Sequence, residues 1–169
     1  MRQKLTEYAL RLISKKRYTV EEMRKKLEAL ASKLLSKRDE SEEPLEPPIE
    51  LVIERLRELD YLNDQSYLQN YIADRIRFRP RGEFMIRQEL RRKGIDKKLL
   101  DDYLMTEKVD ELGAAKKLLE SKKRRWMNEN IQKQKEKAYR FLASKGFKPD
   151  NIYKAVDCCY NHSQEVGSE

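Results

Sequence analysis

Apolar residues recur along this chain at the spacing of amphipathic helices, and one stretch of the pattern returns after a fixed interval. The segment 86-IRQELRRKGIDKKLLDDYL-104 aligns without a gap with 138-AYRFLASKGFKPDNIYKAV-156, at a constant offset of 52 residues. Ile86 and Leu90 lie four residues apart, as do the apolar residues aligned with them, and this spacing places them on one helix face. The match predicts two copies of one helical unit.

A glycine ends the first helix in each of these two segments. Gly94 and Gly146 align with each other, and glycine adopts at little cost the left-handed backbone that ends many helices. The apolar residue after each glycine is expected to fold back onto the last helical turn. Another helix then begins at once, with Asp96 as its N-cap in one copy and Pro149 in its first turn in the other.

A weaker third copy lies upstream. The segment 8-YALRLISKKRYTVEEMRKKL-27 aligns with 71-YIADRIRFRPRGEFMIRQEL-90 at an offset of 63 residues. Thr19 and Glu22 have the Thr-x-x-Glu spacing of a capping box. Thr19 aligns with Gly82, so we predict that Gly82 is the N-cap of the helix that follows it.

The repeating unit contains a long first helix, a second helix that ends near the glycine, and a short third helix. A repeat of about 50 residues that cannot close a core alone is typical of a stacked array. We therefore predict an all-α fold with three tandem three-helix repeats forming an elongated, curved helical array. The predicted repeats are residues 5–62, 64–105 and 108–160, followed by a tail at 161–169.

The first repeat departs from the other two after Leu27. An insertion near residues 28–48 takes the place of the glycine cap. Its centre is acidic and contains proline, which predicts a flexible loop. The helical pattern then resumes at 49-IELVIERLREL-59.

The composition favours several thin cores over one large core, because only 38% of the residues are hydrophobic and 40% are charged. Helices suit this composition, since each can bury one narrow stripe and leave its other side chains in water. The formal net charge of +8 favours a polyanionic partner such as nucleic acid.

The sequence also indicates a cytoplasmic protein. No apolar run approaches the roughly 18 residues of a membrane helix, and the N-terminal residues lack the apolar segment of a signal peptide. Cys158 and Cys159 are adjacent, a spacing at which a disulfide bridge is strained, so reduced thiols are expected.

Little in the sequence favours catalysis. The single histidine, His162, lies in the predicted tail. The two adjacent cysteines cannot supply the spaced ligands of a zinc site, and the five glycines are too dispersed to form a phosphate-binding loop. We therefore predict a protein without catalytic residues, cofactor or metal site.

Three motifs, 58-ELDYLND-64, 81-RGEFMIRQELRRKGID-96 and 133-KQKEKAYRFLASKGF-147, add to the repeat pattern. With them the chain resembles the RecX family of regulatory proteins, from residue 5 to about residue 157. The resemblance implies an all-helical protein that binds the RecA recombinase, usually as a filament on DNA, and inhibits its ATP hydrolysis and strand exchange. The chain departs from the family at Asp60, where glycine is often found.

Basic residues in the second and third repeats lie outside the predicted core stripe. Between Arg75 and Lys98 there are ten basic and three acidic residues, so pairing with Glu83 and Glu89 leaves most of these cations without a partner. We predict contacts with RecA or with DNA phosphates, and no reading of base sequence. The candidate residues are Arg75, Arg77, Arg79, Arg81, Arg87, Arg91, Arg92, Lys93, Lys122, Lys123, Arg124, Arg125, Lys135 and Arg140.

Two aromatic residues of the third repeat have two interpretations. Trp126 follows four cations and Tyr139 lies in a basic stretch, so either ring can stack on exposed bases. Packing within the protein is the favoured interpretation, since aromatic side chains are usually buried.

The function predicted from the sequence is modulation of the RecA filament in recombination and DNA repair, with inhibition as the expected direction, by a cytoplasmic monomer. An alternative is a helical module that binds single- or double-stranded DNA without sequence preference and has no recombinase partner. A third hypothesis is an adaptor that binds another protein through its acidic loop at residues 39–50.

Overall fold

The computed structural model describes residues 1–36, 46–107 and 109–161, and the part of the chain that it describes contains nine α-helices, one short 3-10 helix and no strand. The all-α prediction is therefore confirmed. The α-helices are α1 (Arg2–Ile13), α2 (Val20–Leu35), α3 (Ile49–Glu58), α4 (Asp64–Phe78), α5 (Glu83–Arg92), α6 (Lys97–Thr106), α7 (Glu111–Lys123), α8 (Ile131–Ser144) and α9 (Pro149–Asn161). Three consecutive helices make up each of the first, second and third repeats.

The chain divides into two compact units. Unit 1 contains Met1–Gln69 and Arg91–Leu99, and unit 2 contains Asn70–Leu90 and Leu100–Glu169. The helices α4, α5 and α6 each contribute residues to both units. The compact units and the sequence repeats are therefore two different divisions of the chain.

The core of unit 1 forms where α1, α2 and α3 pack together. Thr19 begins α2 with the predicted capping box, which the structure confirms: the Glu22 N–H donates to Thr19 Oγ1 at 3.0 Å, and the Thr19 N–H donates to a Glu22 carboxylate oxygen at 3.3 Å. The buried core residues are Leu5, Ala9, Tyr18, Met23, Leu27, Ala31, Val52, Ile53, Leu56 and Leu62.

Helix α2 is longer than the repeat comparison indicates. It continues to Leu35, about two turns past Leu27. Ala31 is buried and extends the apolar stripe by one turn, so the insertion predicted at residues 28–48 begins as helix. The flexible loop predicted at its centre falls on residues 37–45, outside the described residues.

The core of unit 2 is built mainly by α7, α8 and α9. Small residues such as Ala114, Ala115 and Ala155 are buried between these helices, which lets them pack closely. Pro149 is the first residue of α9, so its predicted place in the first turn is confirmed. The buried core residues are Ala114, Ala115, Leu119, Ala138, Leu142, Phe147, Ile152, Ala155, Val156 and Tyr160.

The two aligned glycines end their helices as predicted. Gly94 has φ 81° and Gly146 has φ 80°, both in the left-handed region. Ile95 and Phe147, the residues that follow, are buried. Asp96 caps the next helix by accepting hydrogen bonds from the N–H groups of Lys98 and Leu99, at 2.9 and 3.1 Å.

Asp60 supplies the same backbone conformation at the end of α3. Its φ is 58°, the one positive φ of a non-glycine residue that the structure describes. The Asp60 N–H donates to the Arg57 carbonyl oxygen at 2.9 Å, and its carboxylate accepts from the Asn63 side-chain amide at 2.8 Å. Aspartate tolerates this conformation better than most residues, so the departure from glycine leaves the turn intact.

The first helix is the longest only in the second repeat, where α4 has 15 residues and α5 and α6 have 10 each. In the first repeat α2 has 16 residues and α1 has 12, and in the third repeat α7 and α9 both have 13. Helix α8 also begins a turn earlier than α5 in the 52-residue match. That match pairs Gly82, which precedes α5, with Gln134, which lies inside α8.

No helix in the described ranges combines the length and apolar character needed to cross a membrane.

Candidate protein and nucleic-acid interface

The fourteen candidate cations are divided between the two units. Arg91, Arg92 and Lys93 belong to unit 1, and the other eleven belong to unit 2. Some are held in ion pairs within their unit and others are exposed. This distinction separates residues that stabilise the fold from residues that are available to a partner.

Lys93 is held at the start of α2 in unit 1. Its ammonium group lies 2.7 Å from a Glu22 carboxylate oxygen, and its carbonyl oxygen accepts from the Thr19 hydroxyl at 2.5 Å. Burial works against the charged form, but the contacts with Glu22 and Tyr67 together outweigh it, so the pKa of Lys93 is raised above its ordinary value. Lys93 therefore stabilises unit 1.

Two further contacts fix the same end of α2. The Val20 N–H donates to an Asp64 carboxylate oxygen at 2.9 Å. Burial raises the pKa of Asp64, and the N–H of Val20 only partly offsets it. A Cβ atom on Gly94 would overlap the Glu21 side chain, so glycine is needed there for space as well as for its backbone conformation.

Arg91 and Arg92 are the available cations of unit 1. Both are exposed, and among the described residues neither has a carboxylate at ion-pair distance. They follow Leu90 at the end of α5, where the negative end of the helix dipole favours cations.

Glu89 holds two of the candidate arginines in unit 2. Its carboxylate lies 2.8 Å from Arg75 Nε and 3.2 Å from Arg81 Nε, and it accepts from the Tyr71 hydroxyl at 2.7 Å. The Arg75 guanidinium also lies 4.8 Å from the centre of the Tyr71 ring. Burial opposes ionisation of Arg75, but its bonds to Tyr71 and Glu89 prevail and raise its pKa.

Glu83 holds a third candidate, Arg87, whose Nε lies 2.8 Å from the Glu83 carboxylate. Arg87 also pairs with Asp101, and Glu83 also pairs with Lys148. Burial raises the pKa of Glu83, but its bonds to Lys148 and Arg87 are stronger and lower it overall. The sequence interpretation that Glu83 and Glu89 pair with nearby arginines is thus confirmed for Arg75, Arg81 and Arg87.

A buried carboxylate not predicted from the sequence joins the starts of two helices in unit 2. Glu111, 6% exposed, accepts from the Glu83 N–H at 3.0 Å and from the Lys148 N–H at 3.3 Å. It also accepts from the Asn151 side-chain amide. A carboxylate stabilises helix N-termini, so Glu111 serves α5 and α9 together.

Gly82 meets the glycine turn of the third repeat directly. Its N–H donates to the Lys145 carbonyl oxygen at 3.0 Å, and a Cβ atom on Gly82 would overlap the Gly146 carbonyl group. This contact has a counterpart in unit 1, because Thr19 aligns with Gly82 and Lys93 aligns with Lys145. The start of one repeat's second helix therefore binds the lysine carbonyl of the following repeat in both units.

Lys122 and Lys123 of the third repeat lie against the protein. Lys123 donates to the Cys159 carbonyl oxygen at 2.7 Å and lies 5.2 Å from the centre of the Tyr160 ring. Lys122 lies 5.9 Å from the centre of the Phe141 ring. Both lysines are half-buried, so neither extends freely into solvent.

Arg124, Arg125 and Arg140 of the third repeat are exposed. Arg140 lies 4.0 Å from Glu136, a long separation for an ion pair between exposed groups. Lys135 is half-buried and has a partner within the structure. Arg124 and Arg125 are therefore more available to a binding partner than Arg140 and Lys135 are.

The aromatic candidates pack within unit 2. Trp126 makes an edge-on contact with Phe141, with ring centres 5.9 Å apart. The ring centres of Tyr139 and Tyr153 lie 5.2 Å apart. Trp126 and Tyr139 are both partly buried against the core of unit 2, as the favoured interpretation predicted.

Arg77 and Arg79 at the end of α4 are exposed, like the ring of Phe78 between them. The Arg77 guanidinium lies 5.0 Å from the centre of the Phe78 ring. Among the described residues, no carboxylate forms an ion pair with either arginine. These two are the most clearly available cations of the second repeat in unit 2.

The described residues contain no cluster of histidine, cysteine, aspartate and glutamate with the geometry of a metal site. Cys158 and Cys159 are free thiols, and burial raises the pKa of Cys159. His162 lies outside the described residues.

The comparisons with known proteins agree with this architecture. Residues 63–104 match the family model for the second three-helix domain of RecX, and residues 110–156 match the third. The regulatory protein RecX of Prosthecochloris aestuarii is 32% identical over 111 residues, which cover 64% of this chain and 70% of that protein. The RecX of Chlorobium phaeobacteroides is 27% identical over 156 residues, covering 91% and 92%.

Solved structures of RecX proteins are also similar to this chain in fold. The crystal structure of RecX from Lactobacillus salivarius has a TM-score of 0.73 and 25% identity, and the match covers 92% of this chain and 94% of that one. Tandem three-helix domains with polar contacts between successive repeats define a helical-repeat protein. The chain belongs to the RecX family, and the resemblance seen in the sequence is confirmed.

Proposed function

We propose that this protein binds the RecA filament in the cytoplasm, as a monomer, and inhibits the ATPase and strand-exchange activities of RecA in recombination and DNA repair. Membership of a family of regulatory proteins supports the proposal. The observation that carries it is the set of exposed arginines without ion-pair partners among the described residues. They are Arg77, Arg79, Arg91, Arg92, Arg124 and Arg125.

These arginines suit contacts with an acidic protein surface or with phosphates. Each guanidinium offers several N–H donors in a fixed plane and forms paired hydrogen bonds with carboxylates and phosphates. The ion-paired candidates, such as Arg75 and Arg87, keep their helices in place so that the exposed ones are presented. Inhibition then follows from occupancy: a bound protein obstructs filament growth or the conformational cycle that accompanies ATP hydrolysis.

The proposal is tested by titrating the protein into an ATPase assay of cognate RecA on single-stranded DNA. We expect hydrolysis to fall as the protein is added, and the protein to co-sediment with filaments. The inhibition should weaken with added salt, because the contacts are charged and exposed. Unchanged hydrolysis together with no co-sedimentation would rule the proposal out.

The exposed arginines equally favour a second candidate, a helical DNA-binding module without a recombinase partner. Changing Arg91 and Arg92 to alanine separates the two functions. A DNA-binding module should lose affinity for naked DNA and show a smaller salt dependence. A RecA modulator should lose inhibition even under salt conditions at which its binding to naked DNA is slight.

A further inference from the structure

The end of α4 presents a phenylalanine ring to solvent between two exposed arginines. Phe78 is 66% exposed, and it lines a surface cavity of about 300 Å³ together with Tyr71, Asp74, Arg75 and Arg79. The core stripe of α4 lies elsewhere, because its apolar side chain Ile72 is buried. Phe78 therefore contributes little to folding, and what distinguishes it from other exposed apolar side chains such as Phe84 is its place in the cavity between two arginines.

The charges around Phe78 are positive on balance. Arg77 and Arg79 are exposed and lack carboxylate partners among the described residues. Arg75 is neutralised by Glu89, which leaves Asp74 as the one carboxylate in the cavity lining. A ligand of this surface is therefore expected to be anionic.

The geometry of the helix end places the arginines on either side of the ring. The Arg79 N–H donates to the Arg75 carbonyl oxygen at 3.2 Å, which closes the last turn of α4 and leaves Arg79 directly after the last helical residue, Phe78. Successive residues of a helix are rotated by about 100°, and Phe78 consequently points between Arg77 and Arg79. The ring thus has one cation on each side along the chain, and the Arg77 guanidinium lies 5.0 Å from its centre.

We propose that Phe78 is a base-stacking site for single-stranded nucleic acid, with Arg77 and Arg79 bound to phosphates on the two sides of the stacked base. The proposal rests on the function proposed above and names the ligand of this part of the surface. A single strand offers both the base face and the flanking phosphates, as in known stacking sites.

Other anionic partners fit this surface less well. Stacked bases of a duplex do not offer their faces to a protein ring, so a duplex would contact only the arginines. An acidic peptide would likewise satisfy the arginines and leave the exposed ring without a partner. The combination of ring and cations thus favours a single strand.

The test measures binding of the full chain to fluorescent oligothymidylate by anisotropy, without RecA. Phe78→Leu keeps an apolar side chain but removes the aromatic face, and we expect affinity to fall about tenfold, within the range for loss of one stacked base. Phe78→Tyr should bind like the natural protein. Phe84→Ala is the matched control, since Phe84 is 60% exposed in the same unit but does not line the cavity, and it should bind unchanged.

A second oligomer shows whether stacking causes the effect. On an abasic strand of equal length, the natural protein and Phe78→Leu should bind equally, because no base remains to stack. Arg79→Ala should weaken binding to both strands and reduce the salt slope by roughly 0.7, the value for one phosphate contact with a single strand.

Several results would overturn the proposal. They are an absence of binding to oligothymidylate, equal binding by Phe78→Leu and the natural protein, or an equal loss with Phe84→Ala. Loss of binding to polyglutamate by Phe78→Leu, with no loss on oligothymidylate, would assign the surface to an acidic protein instead. Because RecA is absent, these results are independent of the ATPase assay, and either proposal can fail without the other.

Discussion

The starts of α2 and α5 make the same contact with the repeat that follows, but with different chemical groups. In unit 1 the side-chain hydroxyl of Thr19 donates to the Lys93 carbonyl oxygen. In unit 2 the backbone N–H of Gly82 donates to the Lys145 carbonyl oxygen. The first arrangement accommodates a side chain and the second excludes one, so aligned positions with one role carry different constraints.

The acids that serve these two helix starts also differ. Asp64 accepts from one backbone N–H, that of Val20. Glu111 accepts from two backbone N–H groups, those of Glu83 and Lys148, and from a side-chain amide. The contact in unit 2 thus depends on one carboxylate for two helices, and unit 2 is expected to be the more sensitive to single substitutions.

Gly82→Ala is expected to lower the free energy of unfolding more than any other substitution considered. The new methyl group would overlap the Gly146 carbonyl, and the backbone would have to shift, at a cost of about 3 kcal/mol. Thr19→Ala at the aligned position should cost only about 1 kcal/mol, the usual value for loss of a cap. Urea denaturation of both variants measures the difference. An equal or larger loss with Thr19→Ala would show that the two contacts do not differ as described.

Glu111→Gln is expected to lower the free energy of unfolding somewhat less than Gly82→Ala does. The amide keeps one acceptor but loses the charge that favours two helix starts, so we expect a loss of about 2 kcal/mol, against about 1 kcal/mol for Asp64→Asn. Glu120→Gln on the exposed side of α7 is the control and should change stability little. If Asp64→Asn proves the more costly change, Glu111 does not have the double role assigned to it.

The carboxylates at the starts of α2 and α5 should contribute to stability with opposite pH dependence. The pKa of Asp64 is raised, so its contribution to stability is fully present below the ordinary aspartate pKa and is lost as the pH rises through the raised value. The pKa of Glu83 is lowered, so its contribution is present above the ordinary glutamate pKa and is lost as the pH falls through the lowered value.

Urea denaturation between about pH 3 and pH 6, around the ordinary carboxylate pKa values, tests this contrast. The stability difference between the natural protein and Glu83→Gln should grow in favour of the natural protein as the pH rises. The stability difference between the natural protein and Asp64→Asn should shift in favour of the variant as the pH rises. Parallel trends for the two variants would contradict the assignment.

The smallest effect on stability is expected from the exposed arginines. Replacing Arg91 and Arg92 in unit 1, or Arg77 and Arg79 in unit 2, should change the free energy of unfolding by less than about 0.5 kcal/mol. RecA inhibition should nevertheless weaken, and the two double variants show which unit contributes more. Arg75→Ala is the contrasting variant: it removes an ion pair that is mostly buried and should lower stability measurably.

Local features of the fold could be predicted from the sequence because they depend on neighbouring residues. The capping box at Thr19 and the left-handed turns at Gly94 and Gly146 need only short-range spacing, and all three are confirmed. The length of α2 was missed, because one aligned glycine was taken as the end of every second helix. Ala31, an ordinary helix-forming residue, allows α2 to continue.

The candidate site was less predictable, because pairing depends on residues distant in the sequence. Nothing local distinguishes Arg75, which Glu89 holds, from Arg79, which is exposed. Glu111 was missed for the same reason, since its partners lie 28 and 37 residues away. The signal that could have found it is an acid in the first turn of the first helix of a repeat, which Asp64 shares.

The extra turn at the start of α8 changes the role of the position that aligns with Gly82. The residue that matches Gly82 is Gln134, whose N–H donates to the Asn130 carbonyl oxygen at 3.0 Å within α8. Its side-chain amide donates to the Glu129 carbonyl oxygen at 2.7 Å. The donor that links each of the first two repeats to the next is thus bonded inside the third repeat, so the aligned position there contributes to its own helix instead of to a neighbouring repeat.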